Sequence, residues 1–156
     1  MKKIVLVLMT LSLLVACKST QTTAGPSPAK KKVLKGDWTL SSISYSEDAE
    51  FNVTLLNEAT KACFEGSRWN FIPNNNTGSY SIAGDADCNN GLRHFIFTVD
   101  GQNFLLKPTD AKGKSLTNVG FHFNLVSMSE TSLIIAQTVA IEGEEDSLTI
   151  TWQFSR

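Results

Sequence analysis

The sequence predicts an all-β domain: eight antiparallel strands in simple succession, closed into an up-and-down barrel, with one short helix between the first two strands. Three observations predict it. From residue 33 onward, apolar and polar residues alternate at period two over eight runs, the pattern of strands that turn one face to a core. Stretches of turn-forming residues such as "PNNNTG" and "SETS" separate most of the runs, which makes consecutive strands antiparallel neighbours. An open sheet of eight strands would leave two unpaired edges, and closure removes them. A two-sheet sandwich is the competing arrangement.

The elements follow in order. The first strand is expected over 34–45, with Leu34, Trp38 and Leu40 in one phase. The second covers 68–72, with Trp69 and Phe71 on one face, and the third 78–83. The fourth covers 92–99, with Phe95, Phe97 and Val99 in phase. Asp100–Gly101 then marks a two-residue hairpin turn, since a type I′ turn needs positive φ at both positions. The fifth strand covers 102–108, carrying Phe104 and Leu106, and a long polar loop, 109–118, leads to the sixth at 119–128. There Val119, Phe121, Phe123 and Leu125 share a face. The seventh covers 133–142. In the eighth, 147–154, Leu148, Ile150, Trp152 and Phe154 alternate against Thr149, Thr151 and Gln153. Residues 51–67 break the alternation. Leu55, Leu56, Ala59 and Cys63 fall near i, i+1, i+4 and i+8, which suits one face of a short helix. Asn52 or Thr54 would cap it and Gly66 would end it.

The N-terminus reads "MKKIVLVLMTLSLLVACKST". Lys2 and Lys3 precede an apolar stretch, 4–16, that is shorter than the roughly 20 residues a membrane-spanning helix needs. This is the pattern of a secretory signal peptide. Its end, "LVAC", resembles the lipobox of bacterial lipoproteins, with Leu14, Ala16 and Cys17 in the box positions. The resemblance implies a signal peptide at 1–16 and a lipid on Cys17, whose acyl chains make the membrane a partner without a transmembrane helix. Lys18 stands where an Asp would resemble an inner-membrane retention signal, so the resemblance implies an outer-membrane lipoprotein of a bacterial cell envelope, facing either side. Residues 18–32 are Ser, Thr, Pro and Lys with almost no apolar content, a flexible tether. The Lys30–Lys32 run is a solvated end of that tether or a contact for anionic lipid headgroups or nucleic acid. The expected division is lipidated Cys and tether at 17–32 and one domain at 33–156, about 120 residues, ample for a single core.

Composition narrows the function. The formal net charge is −1, so no nucleic-acid partner is expected. With Cys17 taken by lipid, Cys63 and Cys88 remain as an even pair, and in an exported chain they are expected to form a disulfide. Two cysteines with no companion His cannot complete a tetrahedral metal site. The acidic clusters "SEDAE" and "EGEED" lack the spacing of a calcium loop. His94 and His122 fall in the phase opposite to the large apolar residues of their strands. No nucleophile elbow, zinc-protease motif or phosphate loop occurs. The expectation is a protein that is not an enzyme and has no metal or cofactor.

"GDWTL", "RWNF" and the terminal "TWQFSR" are similar to stretches of the lipocalins, and the resemblance covers 33–156. It implies that Gly36 and Trp38 form the Gly-x-Trp signature. It also implies that Trp38 closes the barrel floor beside a late basic residue, for which Arg156 is the candidate. It implies further that the barrel binds a small apolar molecule. Phe95, Phe97, Phe104, Phe121, Phe123 and Trp152 are the candidate lining. Gln137 shares the phase of Leu133, Ile135 and Val139 and is a candidate polar group inside. The rings either fill the core or line a pocket. The chain departs from lipocalins proper in having no helical stretch after the eighth run, and in reading "SETS" where they often carry Thr-Asp-Tyr. The alternative is an envelope protein-interaction module, an inhibitor or assembly accessory, acting through the loop at 109–118 and the acidic tip at 142–146. The interior volume of the barrel discriminates between the two.

Overall fold

Eight strands follow one another around a closed barrel in chain order. The computed structural model describes residues 28–46, 53–82, 84, 87–141 and 147–156. The expected signal peptide, Cys17, most of the tether, Asn52, the acidic cluster at 47–50 and the tip at 142–146 lie outside the described residues. The strands are β1 (Gly36–Tyr45), β2 (Arg68–Ile72), β3 (Thr77–Ile82), β4 (Gly91–Asp100), β5 (Asn103–Thr109), β6 (Phe121–Met128), β7 (Ser132–Ala140) and β8 (Ser147–Ser155). Each pairs antiparallel with the next, and β8 returns to β1. Two helices flank β1: α1 (Pro28–Leu34) before it and α2 (Lys61–Phe64) after it.

The inner phase of each strand is mostly apolar, and the core runs through the whole barrel. Trp38, Leu40 and Ile43 of β1 meet Trp69, Phe71, Tyr80, Phe95, Phe97, Phe104, Leu106, Phe123, Leu133, Ile135, Ile150, Trp152 and Phe154. A bulge between Leu40 and Ser42 lets Leu40 and Ile43, three apart, point the same way. Gly78 faces inward opposite Phe95. A Cβ there would stand 2.3 Å from the Phe95 ring and 2.6 Å from the Asn70 carbonyl oxygen, so glycine makes room for both.

The structure corrects four local expectations. First, the helical spacing read over 51–67 yields a helix only at α2. Leu55 and Leu56 are buried, but Leu55 to Ala59 closes a tight turn, Leu55 N donating to Ala59 O at 2.8 Å, with Leu56 and Asn57 at positive φ. Thr60, not Thr54, occupies the N-cap position of α2, and Gly66 at φ +82° follows its end. Second, the hairpin turn lies one residue later than Asp100–Gly101. Asp100 and Asn103 pair across it, and Gly101 alone carries positive φ, at 59°, the form with glycine at the first central position. Third, Val119 is exposed and precedes β6. Fourth, Leu34 belongs to α1. The basic run read as the end of the tether is helical, because Pro is tolerated in a first turn and Ala and Lys favour helix. Leu34 tucks beneath the barrel, and Lys30 Nζ donates to Gly101 O at 3.0 Å.

The register defines two ends. The floor carries α1 and the short turns at 73–76, 101–102 and 129–131. Among the described residues, the mouth carries the connections at 53–67, 87–90 and 110–120.

Candidate functional site

At the floor, Gly36, Trp38 and Arg156 converge. Gly36 has φ +110°, and a Cβ on it would lie 3.6 Å from Arg156 Nη1. A glycine here suits both the backbone and the approach of the guanidinium. The Trp38 indole N–H donates to Leu34 O at 3.0 Å, tying α1 to β1. Arg156 donates to Val33 O at 2.6 Å and Lys35 O at 2.9 Å, and its Nε donates to Glu130 O. The cation thus satisfies carbonyls at the C-terminal end of α1, where a helix leaves acceptors unpaired.

The interior is occupied by aromatic rings in mutual contact. A closed circuit runs from Tyr80 to Trp69 (4.4 Å between centroids), Phe71 (6.2 Å), Phe97 (5.4 Å), Phe104 (5.8 Å), Phe123 (6.4 Å), Trp152 (5.7 Å), Phe64 (5.4 Å) and back to Tyr80 (5.8 Å). Phe95 and Phe154 join it through Trp69 and Phe71. Eight strands enclose a space that side chains can fill, and here the rings span it. Of the candidate lining residues, Phe95, Phe97, Phe104, Phe123 and Trp152 lie within this network. Phe121, at the start of β6, is half-buried. Gln137 lies half-buried opposite Ile150, near the mouth end of β7.

A lid made by residues 53–67, the described part of the connection from β1 to β2, covers the mouth. Phe64 of α2 is fully buried and stands between Tyr80 and Trp152. Cys63 beside it forms a disulfide with Cys88 of the β3–β4 connection, as expected from the parity of cysteines. Glu65 Oε1 accepts from Ile43 N at 2.8 Å, because the β1–β2 pairing ends at Thr39 and Arg68 and leaves this donor without a strand. Burial, and next the Glu65 carboxylate, raise the pKa of nearby Tyr45 above the usual tyrosine value. Glu58 accepts from Tyr80 Oη at 2.5 Å and from Arg93 Nε. Arg93 Nη2 also donates to Asn89 O at 2.6 Å. Tyr80 is held far above its usual pKa, by burial first, then by its hydrogen bond to Glu58 and that carboxylate's charge. It therefore remains a donor at neutral pH.

Beside this polar group lies a cleft of about 650 Å³. Leu56 of the lid, Leu92, Pro108 and Leu116 form its apolar walls, and Glu58, Tyr80, Arg93 and His94 its polar ones. Leu92 is 62% exposed and Leu116 66% exposed, whereas most other leucines of the described barrel are buried. His94 is half-buried on the cleft wall, and His122 is exposed. Sequence reasoning did not single out Glu58, Tyr80, Arg93, Leu92 or Leu116. Arg93 carried a signal, since it shares the inward phase of Phe95, Phe97 and Val99, and a charge in an apolar phase demands a partner. The partner, Glu58, lies 35 residues away and had no signal of its own. Among the described residues, no cluster of three or more His, Cys, Asp or Glu side chains could hold a metal ion.

The family described as "Lipocalin-like domain" matches residues 34–135. Among solved structures, a lipocalin-like protein from Bacteroides uniformis ATCC 8492 is similar at 14% identity, over 80% of this chain and 98% of that one, with a TM-score of 0.50. The bovine lipocalin allergen Bos d 2 is similar at 12% identity, over 81% of this chain and 74% of that one, with a TM-score of 0.47. Bovine odorant binding protein in complex with a selenium-containing odorant is similar at 13% identity, over 80% and 70%, with a TM-score of 0.45. At these identities the likeness is one of fold. No curated protein sequence matches the chain.

Proposed function

The chain belongs to the lipocalin-like domain family, and from that premise we propose that it is a lipid-anchored binding protein of a bacterial cell envelope that takes a small apolar ligand at the barrel mouth. The observation that carries the reading is the cleft of about 650 Å³ between the lid and the β5–β6 loop, walled by exposed leucines around a Glu58–Arg93–Tyr80 centre. Ligand sites are concave, mostly apolar and oriented by a few placed polar groups, at volumes of roughly 300–1,000 Å³. The rings that span the interior favour the mouth over the middle of the barrel as the seat. Binding, rather than catalysis, is its role. The anchor rests on the "LVAC" box with Cys17 and the polar tether behind it.

Titration with a fluorescent apolar probe such as 1-aminoanthracene tests the site. Changing Leu92→Ser together with Leu116→Ser is expected to weaken binding about tenfold, from the apolar area lost. Ile72→Ser, a change at an exposed apolar residue of the floor, is the control for non-specific adhesion. Equal binding by all three proteins sinks the reading. For the anchor, Cys17→Ser is expected to move the protein from the membrane fraction to the soluble one and to abolish labelling by radioactive palmitate. A second reading, a protein-interaction surface on the β5–β6 loop, is favoured by the exposure of Leu116 and Val119 on that loop. It predicts that the leucine variants lose an envelope partner while probe binding stays unchanged.

A further inference from the structure

The three tryptophans of the barrel differ in one respect. Trp38 donates its indole N–H to Leu34 O, and Trp69 donates to Ser67 Oγ at 2.9 Å. Trp152 is 1% exposed, and its indole N–H has no hydrogen-bond partner; among the described residues it is the buried side-chain polar atom left in that state. Buried donors are almost always paired, and an exception calls for a reason. Trp152 sits on β8 between Ile43 and Ile135. Its ring neighbours are Phe64, Trp69 and Phe123. Among the described residues, no acceptor answers the N–H there.

Phe64 stands between the Trp152 ring and Tyr80, and Tyr80 lines the mouth cleft. Phe64 is fully buried but belongs to a four-residue helix of the lid, not to a strand of the barrel. We propose that Phe64 plugs the inner part of the ligand seat, and that a ligand entering from the cleft replaces its ring and accepts a hydrogen bond from Trp152. The inference rests on the mouth reading and adds the class of ligand: a neutral, apolar molecule with a carbonyl oxygen, such as an aryl ketone or aldehyde. Neutrality follows from the surroundings. The rings and aliphatic chains about Trp152 supply no cation, and an ionised carboxylate among them would stay uncompensated. Arg93 at the mouth is already paired with Glu58. A pure hydrocarbon would fill the seat and leave the donor as it is.

The test compares acetophenone with cumene, its hydrocarbon counterpart of similar shape, by calorimetric titration. In Phe64→Ala protein the seat is open whatever the cleft does, so this background reads Trp152 alone. Adding Trp152→Phe to it is expected to weaken acetophenone about fivefold, the worth of one uncharged hydrogen bond, relative to its effect on cumene. Equal effects on both probes overturn the inference. Wild-type protein supplies a second measurement that does not depend on either variant being soluble in quantity. Its Trp152 indole proton, assigned against the signals of the other two tryptophans, is expected to move downfield with acetophenone, as a hydrogen-bonded proton does, and by clearly more than with cumene, whose ring supplies the same ring current without an acceptor. Cross-relaxation of that proton with a bound water would show that water already holds the donor, and overturns the inference. The mouth reading fails separately, if the Leu92 and Leu116 changes leave wild-type binding of both probes unaltered.

Discussion

The Arg156 guanidinium lies 4.1 Å from the centroid of the Trp38 ring and at the same time donates to three backbone carbonyls. The last residue of the sequence thereby clasps α1, the first strand and the β6–β7 turn. Arg156→Ala is expected to destabilise the protein by about 2 kcal/mol, from the lost cation–π contact and the unanswered carbonyls. Arg156→Lys keeps the charge but not the fork and should recover less than half of the loss. Urea unfolding followed by tryptophan fluorescence measures both, and a change within ~0.5 kcal/mol for Arg156→Ala would contradict this role.

Gly78 and Phe95 share one volume. Gly78→Ala places a methyl group 2.3 Å from Phe95 Cζ and is expected to cost about 1–3 kcal/mol, as overpacked cores do. Combining it with Phe95→Leu should give less than the sum of the two single costs, since each change relieves the other. Strict additivity in chemical denaturation would show that the ring is not what excludes a side chain at 78.

The Cys63–Cys88 disulfide closes a loop of 25 residues. Replacing both cysteines with serine is expected to cost roughly 3.5 kcal/mol in the chain-entropy account. Binding of the apolar probe should change as well, because the bond ties Phe64's neighbour to the β3–β4 connection. A thermal melt with and without reductant gives the same comparison in the unaltered chain.

Alkaline pH should act through Tyr80. Its folded-state pKa is raised far above the unfolded value of about 10, so the folded protein holds a proton that the unfolded chain releases. The stabilisation is complete below pH ~10 and declines as pH rises above it. Tyr80→Phe removes this dependence. Between pH 9 and 11.5, wild-type stability is therefore expected to fall more steeply than that of Tyr80→Phe, and parallel curves would refute the assignment.

The barrel was legible in the sequence because its signal is local. Period two in β4, β6 and β8 places Phe95, Phe97, Phe123 and Trp152 inside without knowledge of any partner. The disulfide was legible from the count of cysteines. The lid was not. Leu55, Leu56 and Cys63 have helical spacing, yet positive φ at Leu56 and Asn57 turns the chain where a helix would continue. The candidate site fared worse for the same reason. Its centre joins Glu58 to Arg93 and Tyr80 across two connections, and its walls include Leu92 and Leu116, whose meaning is their exposure. Alternation assigns a face to a strand residue, but it cannot show which loops gather around it.

The short pairing of β1 with β2 has a consequence for what can enter. Only 36–39 of β1 reach β2. Beyond them the gap between these two staves is laced by the lid itself: Leu40 N to Ser67 O, Gly66 N to Leu40 O, and Ile43 N to the Glu65 carboxylate. Cover and wall are thus a single fabric, and the cover cannot swing away without leaving a slit down the side of the cylinder. On the proposed mouth reading, admission would proceed by the turning of single side chains beneath a stationary roof. The same reading would set a ceiling on the guest: a molecule the size of one aromatic ring with a short substituent would pass, and a long acyl chain would stay outside.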